Sequence, residues 1–175
     1  MFIKRFAVLW LSAALSVVPA TILTARAATD PAPDQDTLAT PQFTAEAVFR
    51  DFNLLGDWAV ACDKPASPAN PHVNVSAPGG GLIVESHDVG PDFAPNLYHV
   101  IAAARAGKDM VEARALFRPG TEGEETQTLV MRIAKDKKGI DTRRTMFNRG
   151  DDGVRVKDGI AVRTGAKTAV LRRCG

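Results

Sequence analysis

The chain has 175 residues, with 22 basic and 20 acidic side chains, three histidines and two cysteines. Nearly balanced charge gives no nucleic-acid signature, two cysteines allow one disulfide at most, and the length suits a single core. The first 27 residues then set the address. A basic start at Lys4-Arg5, an apolar run from Phe6 to Val18, Pro19 and a small-residue ending Ala25-Arg26-Ala27 are the three regions of a secretory signal peptide. The competing possibility is a retained anchor, because the apolar run approaches the roughly 20 residues that span a bilayer. Cleavage near Ala27 is the expectation, with a periplasmic or secreted product that keeps no membrane span.

Removing residues 1–27 takes away Lys4, Arg5 and Arg26 and no acid, so 22 basic against 20 acidic becomes 19 against 20, a net charge of −1. The remaining charge is uneven. Residues 28–128 carry 6 basic and 15 acidic side chains, whereas residues 129–175 carry 13 and 5. Either neighbouring strands exchange cross-strand ion pairs, or the C-terminal third presents a basic face to an anionic partner.

Residues 28–42 hold three prolines and three aspartates and little to bury, which predicts a disordered linker ahead of one domain over residues 43–175. Phe43-Thr44 opens a short helix: Thr44 is a capping residue, Ala45, Val48, Phe49 and Phe52 share a face, and Phe43 can staple onto Val48. Beyond Asp57 the periodicity changes to short β segments: 57–62, 72–76, 82–88, 97–105, 110–118, 126–134, 140–147, 154–157, 160–163 and 168–174. Turn chemistry separates them at Gly79-Gly80-Gly81, Gly90-Pro91, Pro119-Gly120, Asn148 through Gly153 and Asp158-Gly159. Val111, Ala113, Ala115 and Phe117 alternate with charged residues, and Gln127, Leu129, Met131 and Ile133 form the matching inner row of the next segment. The expected fold is all-β, an antiparallel meander of about eight to ten strands closed into a calycin-like barrel behind one helix, with a two-sheet sandwich as the alternative. In an oxidising compartment Cys62 and Cys174 are expected to join, tying the first strand to the last.

Gly56-Asp57-Trp58, placed after a turn of helix and opening a meander, resembles the G-x-W signature of lipocalins and related calycin barrels. The resemblance implies that Trp58 closes one barrel end and that Arg172 or Arg173 from the last strand covers its ring. The run Gly56 to Asp63 is also similar to the opening of invasion-associated locus B type exported proteins, although the early second cysteine expected there is missing before Cys174. Small barrel inhibitors of bacterial metalloproteases share the expected shape.

Candidate chemistry is sparse. His87 and His99, with Glu85, can form a metal or acid–base cluster if the 82–88 and 97–105 strands pair with the histidines opposite one another; a slip of one residue separates them. Arg143-Arg144 lies inside a strand, so either one of the two faces inward, towards a buried acid or a ligand carboxylate, or that part of the sheet is twisted open and both are solvated. No Gly-x-Ser-x-Gly elbow or phosphate loop occurs in the sequence. The sequence therefore predicts a non-enzymatic exported barrel, without cofactor, that binds a small amphipathic or anionic ligand in a cavity lined by Trp58, Tyr98, Phe117, Met131 and one of Arg143 and Arg144. The alternative is an envelope protein-interaction module using a basic face over residues 132–173.

Overall fold

The computed structural model describes residues 44–175; the signal-peptide and linker expectations, and the Phe43 staple, fall outside these residues. Helix α1 (Ala45–Asp51) forms where the sequence places it. Thr44 Oγ1 accepts the Ala47 N–H at 3.1 Å, and Ala45, Val48 and Phe49 are buried. Its end is set by Asn53, whose φ of +54° lets its own N–H reach Arg50 O at 3.0 Å and the Leu54 N–H reach Phe49 O at 2.8 Å. This is the Schellman arrangement with asparagine in the position glycine usually takes. Leu54 is thereby turned into the core.

Ten strands follow: β1 (Gly56–Ala59), β2 (His72–Gly79), β3 (Leu82–Asp88), β4 (Asn96–Arg105), β5 (Met110–Phe117), β6 (Glu125–Lys135), β7 (Asp141–Gly150), β8 (Gly153–Lys157), β9 (Ile160–Ala161) and β10 (Val170–Cys174). All neighbours are antiparallel. Strands β1 to β7 form a meander, and β10 closes it by pairing with both β1 and β7, giving an eight-stranded barrel. The first half of β7 (Thr142 to Arg144) pairs with β10, while its last residues, Asn148 to Gly150, pair with β8. The β8–β9 hairpin thus hangs from the barrel as an extension. Closure removes exposed sheet edges, which settles barrel against sandwich.

The first strand is shorter than expected, ending at Ala59, because Asn70 captures the chain beyond it. Its side chain accepts the Ala61 N–H at 2.8 Å and donates to the carbonyls of Ala61, Lys64 and Pro65, converting residues 60–70 into a compact loop. Cys62 leaves from this loop and is bonded to Cys174, 112 residues later. Since Asp57 stands opposite Cys174 in the β1–β10 register, the disulfide straps the seam at which the barrel closes.

The barrel interior is graded along its axis. At the end next to α1, Phe49, Leu54, Trp58, Ile83 and Val111 are fully buried and fill the space between sheet and helix. Towards the other end, along β3 to β7, inward positions become polar: Glu85, Gln127, Arg143 and Asn148 are all buried.

Candidate functional site

Trp58 closes the helix end, as the G-x-W resemblance implies. It is 1% exposed and its indole N–H donates to Leu54 O at 2.9 Å. Arg173, not Arg172, covers the ring: its guanidinium carbon lies 5.5 Å from a ring centroid, and it donates to Asn53 O at 2.6 Å. Arg172 turns outward to Asp136 at 2.8 Å. Gly56 has a φ of +110°, and a Cβ there would stand 3.3 Å from the Arg173 guanidinium, so both the turn and the arginine favour glycine. These residues hold one another at the helix end, and Trp58 belongs to the packed core and not to the cup described below.

Of the two neighbouring arginines, Arg143 is the inward one. It is 5% exposed and grips Glu85, 6% exposed, through two hydrogen bonds of 3.0 and 2.8 Å. Burial alone would push the Glu85 carboxyl up. The Arg143 charge and the hydrogen bonds from His87 and Arg143 outweigh it and hold the carboxyl well below the usual range. Arg144 faces out and is tied to Gly159 O at 2.7 Å and Thr168 Oγ1 at 3.0 Å. The inward arginine therefore already has its acid, and its charge is not held in reserve for a ligand.

The histidine cluster that one strand register would allow does not form. Val84, not His87, stands opposite His99, and His87 stands opposite Asn96. His87 shares the inner face with Glu85, its Nε2 lying 2.9 Å from Glu85 Oε2, while His99 belongs to the outer face. Strand pairing is offset by three residues from the one that juxtaposes the two rings, and an odd offset places them on opposite faces. Among the described residues no group of three or more histidine, cysteine, aspartate or glutamate side chains is arranged to hold a metal.

The barrel end away from α1 opens into a cup of about 330 Å³ lined by His87, Tyr98, Phe117, Gln127, Leu129, Thr145, Asn148, Arg155, Val156 and Thr168. Three rings step along its wall: His87 and Tyr98 have centroids 4.7 Å apart, and Tyr98 and Phe117 5.0 Å apart. Burial, then the nearby Glu85 carboxylate, pushes the Tyr98 hydroxyl up to about 12, so it stays a neutral phenol. Two members of the expected cavity, Tyr98 and Phe117, are here. Trp58 and Met131 lie instead in the filled core, and Arg143 and Arg144 line a smaller adjoining recess of about 140 Å³. That recess meets the cup at His87, Thr145 and Thr168.

Sequence reasoning missed the polar half of the cup. Arg155 donates to Glu125 at 2.5 and 2.9 Å and to Asp152 at 2.9 Å. The Arg155 hydrogen bonds hold the Glu125 carboxyl below its usual value. Gln127 Nε2 donates to Glu125 Oε1 at 2.6 Å, and Asn148 Nδ2 donates to Gln127 Oε1 at 2.8 Å. The chain ends at Asn148 Oδ1, buried without a hydrogen-bond partner. One signal was available: Gln127 fell on the inner row of its strand, and a buried amide requires partners. Asn148 was hidden because it reads as the start of a turn, whereas β7 continues through it to Gly150.

Outside the barrel, a groove of about 710 Å³ runs between α1 and β4, lined by Ala47, Val48, Asp51, Phe52, Ala103, Ala104 and Arg105. Its charged groups are matched to one another: Arg105 pairs with Asp51 and stacks 4.3 Å above the Phe52 ring. The basic excess of the C-terminal third is likewise partly spent on ion pairs, with Arg132 on Asp109, Lys135 on Asp141, Arg143 on Glu85, Arg155 on Glu125 and Arg172 on Asp136. No family model, curated protein or solved structure matches the chain.

Proposed function

We propose that this chain is an exported, non-enzymatic barrel that binds a small amphipathic ligand in the cup at the end away from α1. The observation that carries this is the contrast between the two barrel ends. One is filled by Trp58, Phe49 and Leu54. The other keeps an open space of about 330 Å³ walled by Tyr98, Phe117 and Leu129, with a few polar groups among them. That size and lining fall at the lower end of small-molecule sites, about 300 to 1,000 Å³, and suit a ligand of one or two fused rings.

Matched charge favours binding over catalysis. His87 is held by Glu85, and the Thr168 hydroxyl donates to Thr145 O at 2.7 Å, so neither is poised as a base–nucleophile pair. The pairing of Arg143 with Glu85 and of Arg155 with Glu125 also disfavours the anionic ligand the sequence allowed. A panel of aromatic and aliphatic amphiphiles titrated into the purified protein, followed by amide chemical shifts, tests the proposal. Binding confined to residues around Tyr98, Phe117 and Leu129, and lost in a cup-filling Leu129→Trp variant that stays folded, is expected. Absence of binding across the panel overturns it.

A further inference from the structure

Two carboxylates behind the cup wall, Glu85 and Glu125, fix the direction of the amide and ring groups bonded to them. Glu125, held ionised by Arg155, can only accept, so Gln127 must present its N–H₂ to it at 2.6 Å and its oxygen to Asn148. Asn148 must answer with its own N–H₂ at 2.8 Å. Its oxygen is left over, 92% of the residue being buried (8% exposed) and Oδ1 having no partner. Glu85, ionised beside Arg143, imposes the same logic on His87: Nε2 carries the proton towards Oε2 at 2.9 Å. The Tyr98 and Thr145 hydroxyls both donate and accept, so they do not discriminate. The Arg155 guanidinium on the wall is turned to its own acids, Nε and Nη2 to Asp152 and Nη1 and Nη2 to Glu125.

Resting on the cup as the binding site, we propose that ligand choice is made by hydrogen-bond polarity: the cup takes a flat, uncharged molecule that presents an O–H or N–H to the Asn148 carboxamide oxygen, and rejects carboxylates. The amide torsion of asparagine is soft, so a modest rotation brings the buried oxygen to a donor at the wall. Satisfying an orphaned buried acceptor recovers the cost of leaving it unpaired. A carboxylate placed there would face the Asn148 amide oxygen, with the Arg143 and Arg155 guanidinium groups already paired to acids and Arg144 turned to Gly159 O and Thr168 Oγ1.

Three probes of one shape separate the outcomes: 2-naphthol, its methyl ether 2-methoxynaphthalene, and 2-naphthoate, titrated by calorimetry with binding located by amide chemical shifts. The expected order is naphthol tightest, at least about five-fold over the ether, the equivalent of one net neutral hydrogen bond, with naphthoate weakest. The ether is the more apolar, so hydrophobicity alone would reverse the first pair. In Asn148→Leu the naphthol-to-ether ratio is expected to fall to about one; a ratio that persists there overturns the role of Asn148. If that variant does not fold, the wild-type order decides. Equal binding of naphthol and ether, or preference for naphthoate, overturns the polarity while leaving the cup as a site, and no binding of any probe in the cup removes both.

Discussion

Arg143 and Glu85, 58 residues apart in the chain, meet across the barrel interior in a two-pronged pair of 3.0 and 2.8 Å, both side chains almost fully buried. The pair joins β3 to β7, strands that are not sheet neighbours, and divides the filled apolar end from the cup. The Arg143 guanidinium also lies 5.7 Å from a Trp58 ring centroid, so one side chain touches both halves of the interior.

Breaking this pair from one side leaves a buried charge without its counter-ion. Glu85→Ala is expected to cost about 3–5 kcal/mol, and replacing both partners with apolar residues of similar volume to cost much less. Denaturant midpoints of the two single variants and the double variant check this. A strongly positive coupling is expected, and additive losses would count against the pair acting as a unit.

The same pair sets the acid limit of the fold. The carboxyl of Glu85 titrates lower in the folded chain than in the unfolded one, so the folded state binds fewer protons. Its stabilisation is complete above the ordinary carboxylate range and is lost as pH falls below about 4 towards the depressed folded value. Glu125 and Asp141, both lowered through hydrogen bonds from Arg155 and Lys135, act with the same sign. Urea unfolding from pH 6 to pH 2 should show the loss. A Glu85→Gln variant should start less stable and decline less steeply.

The seam between β1 and β10 rests on three register pairs and one disulfide. Replacing Cys62 and Cys174 together by serine is expected to lower stability by about 2–5 kcal/mol, because the bond closes a loop of more than 100 residues. The far-ultraviolet spectrum should persist, since the β10–β7 and β1–β2 pairings do not involve the sulfurs. Loss of all β signal in the double variant would mean that the strap, and not the sheet, closes the barrel.

Gly56→Ala meets two obstacles at once, a φ of +110° and the Arg173 guanidinium at 3.3 Å. A cost of about 1–3 kcal/mol is expected, with a change in Trp58 fluorescence as Arg173 is displaced from the ring. An unchanged spectrum and stability would show that the glycine is not needed there.

The fold was legible because its determinants are local. All ten strands, the capping role of Thr44 and the inner rows Val111–Phe117 and Gln127–Ile133 follow from alternation and turn residues that lie close together in sequence. The site was only half legible because its determinants are not local. Whether Arg143 or Arg144 faces inward depends on the β6–β7 register, where Met146 is extruded as Met131 pairs with Thr145 and Val130 with Phe147. A bulge of that kind leaves the apolar pattern unchanged while reversing which residues point inward. His87 and His99 were undecidable for a related reason, since a connection of seven residues between β3 and β4 does not specify pairing as a two-residue turn would. Asn148 was missed because asparagine before an Arg-Gly-Asp-Asp run reads as turn chemistry, and only the buried Gln127 beside it makes it part of the interior.

The most direct test of the account is where a small aromatic ligand binds. Titrating 2-naphthol into the protein and following amide shifts should perturb β4, β5, β6 and β7 around Tyr98, Phe117, Leu129 and Asn148, leaving Trp58 and α1 unmoved. Shifts confined to the groove between α1 and β4, or no saturable shift at all, would contradict it.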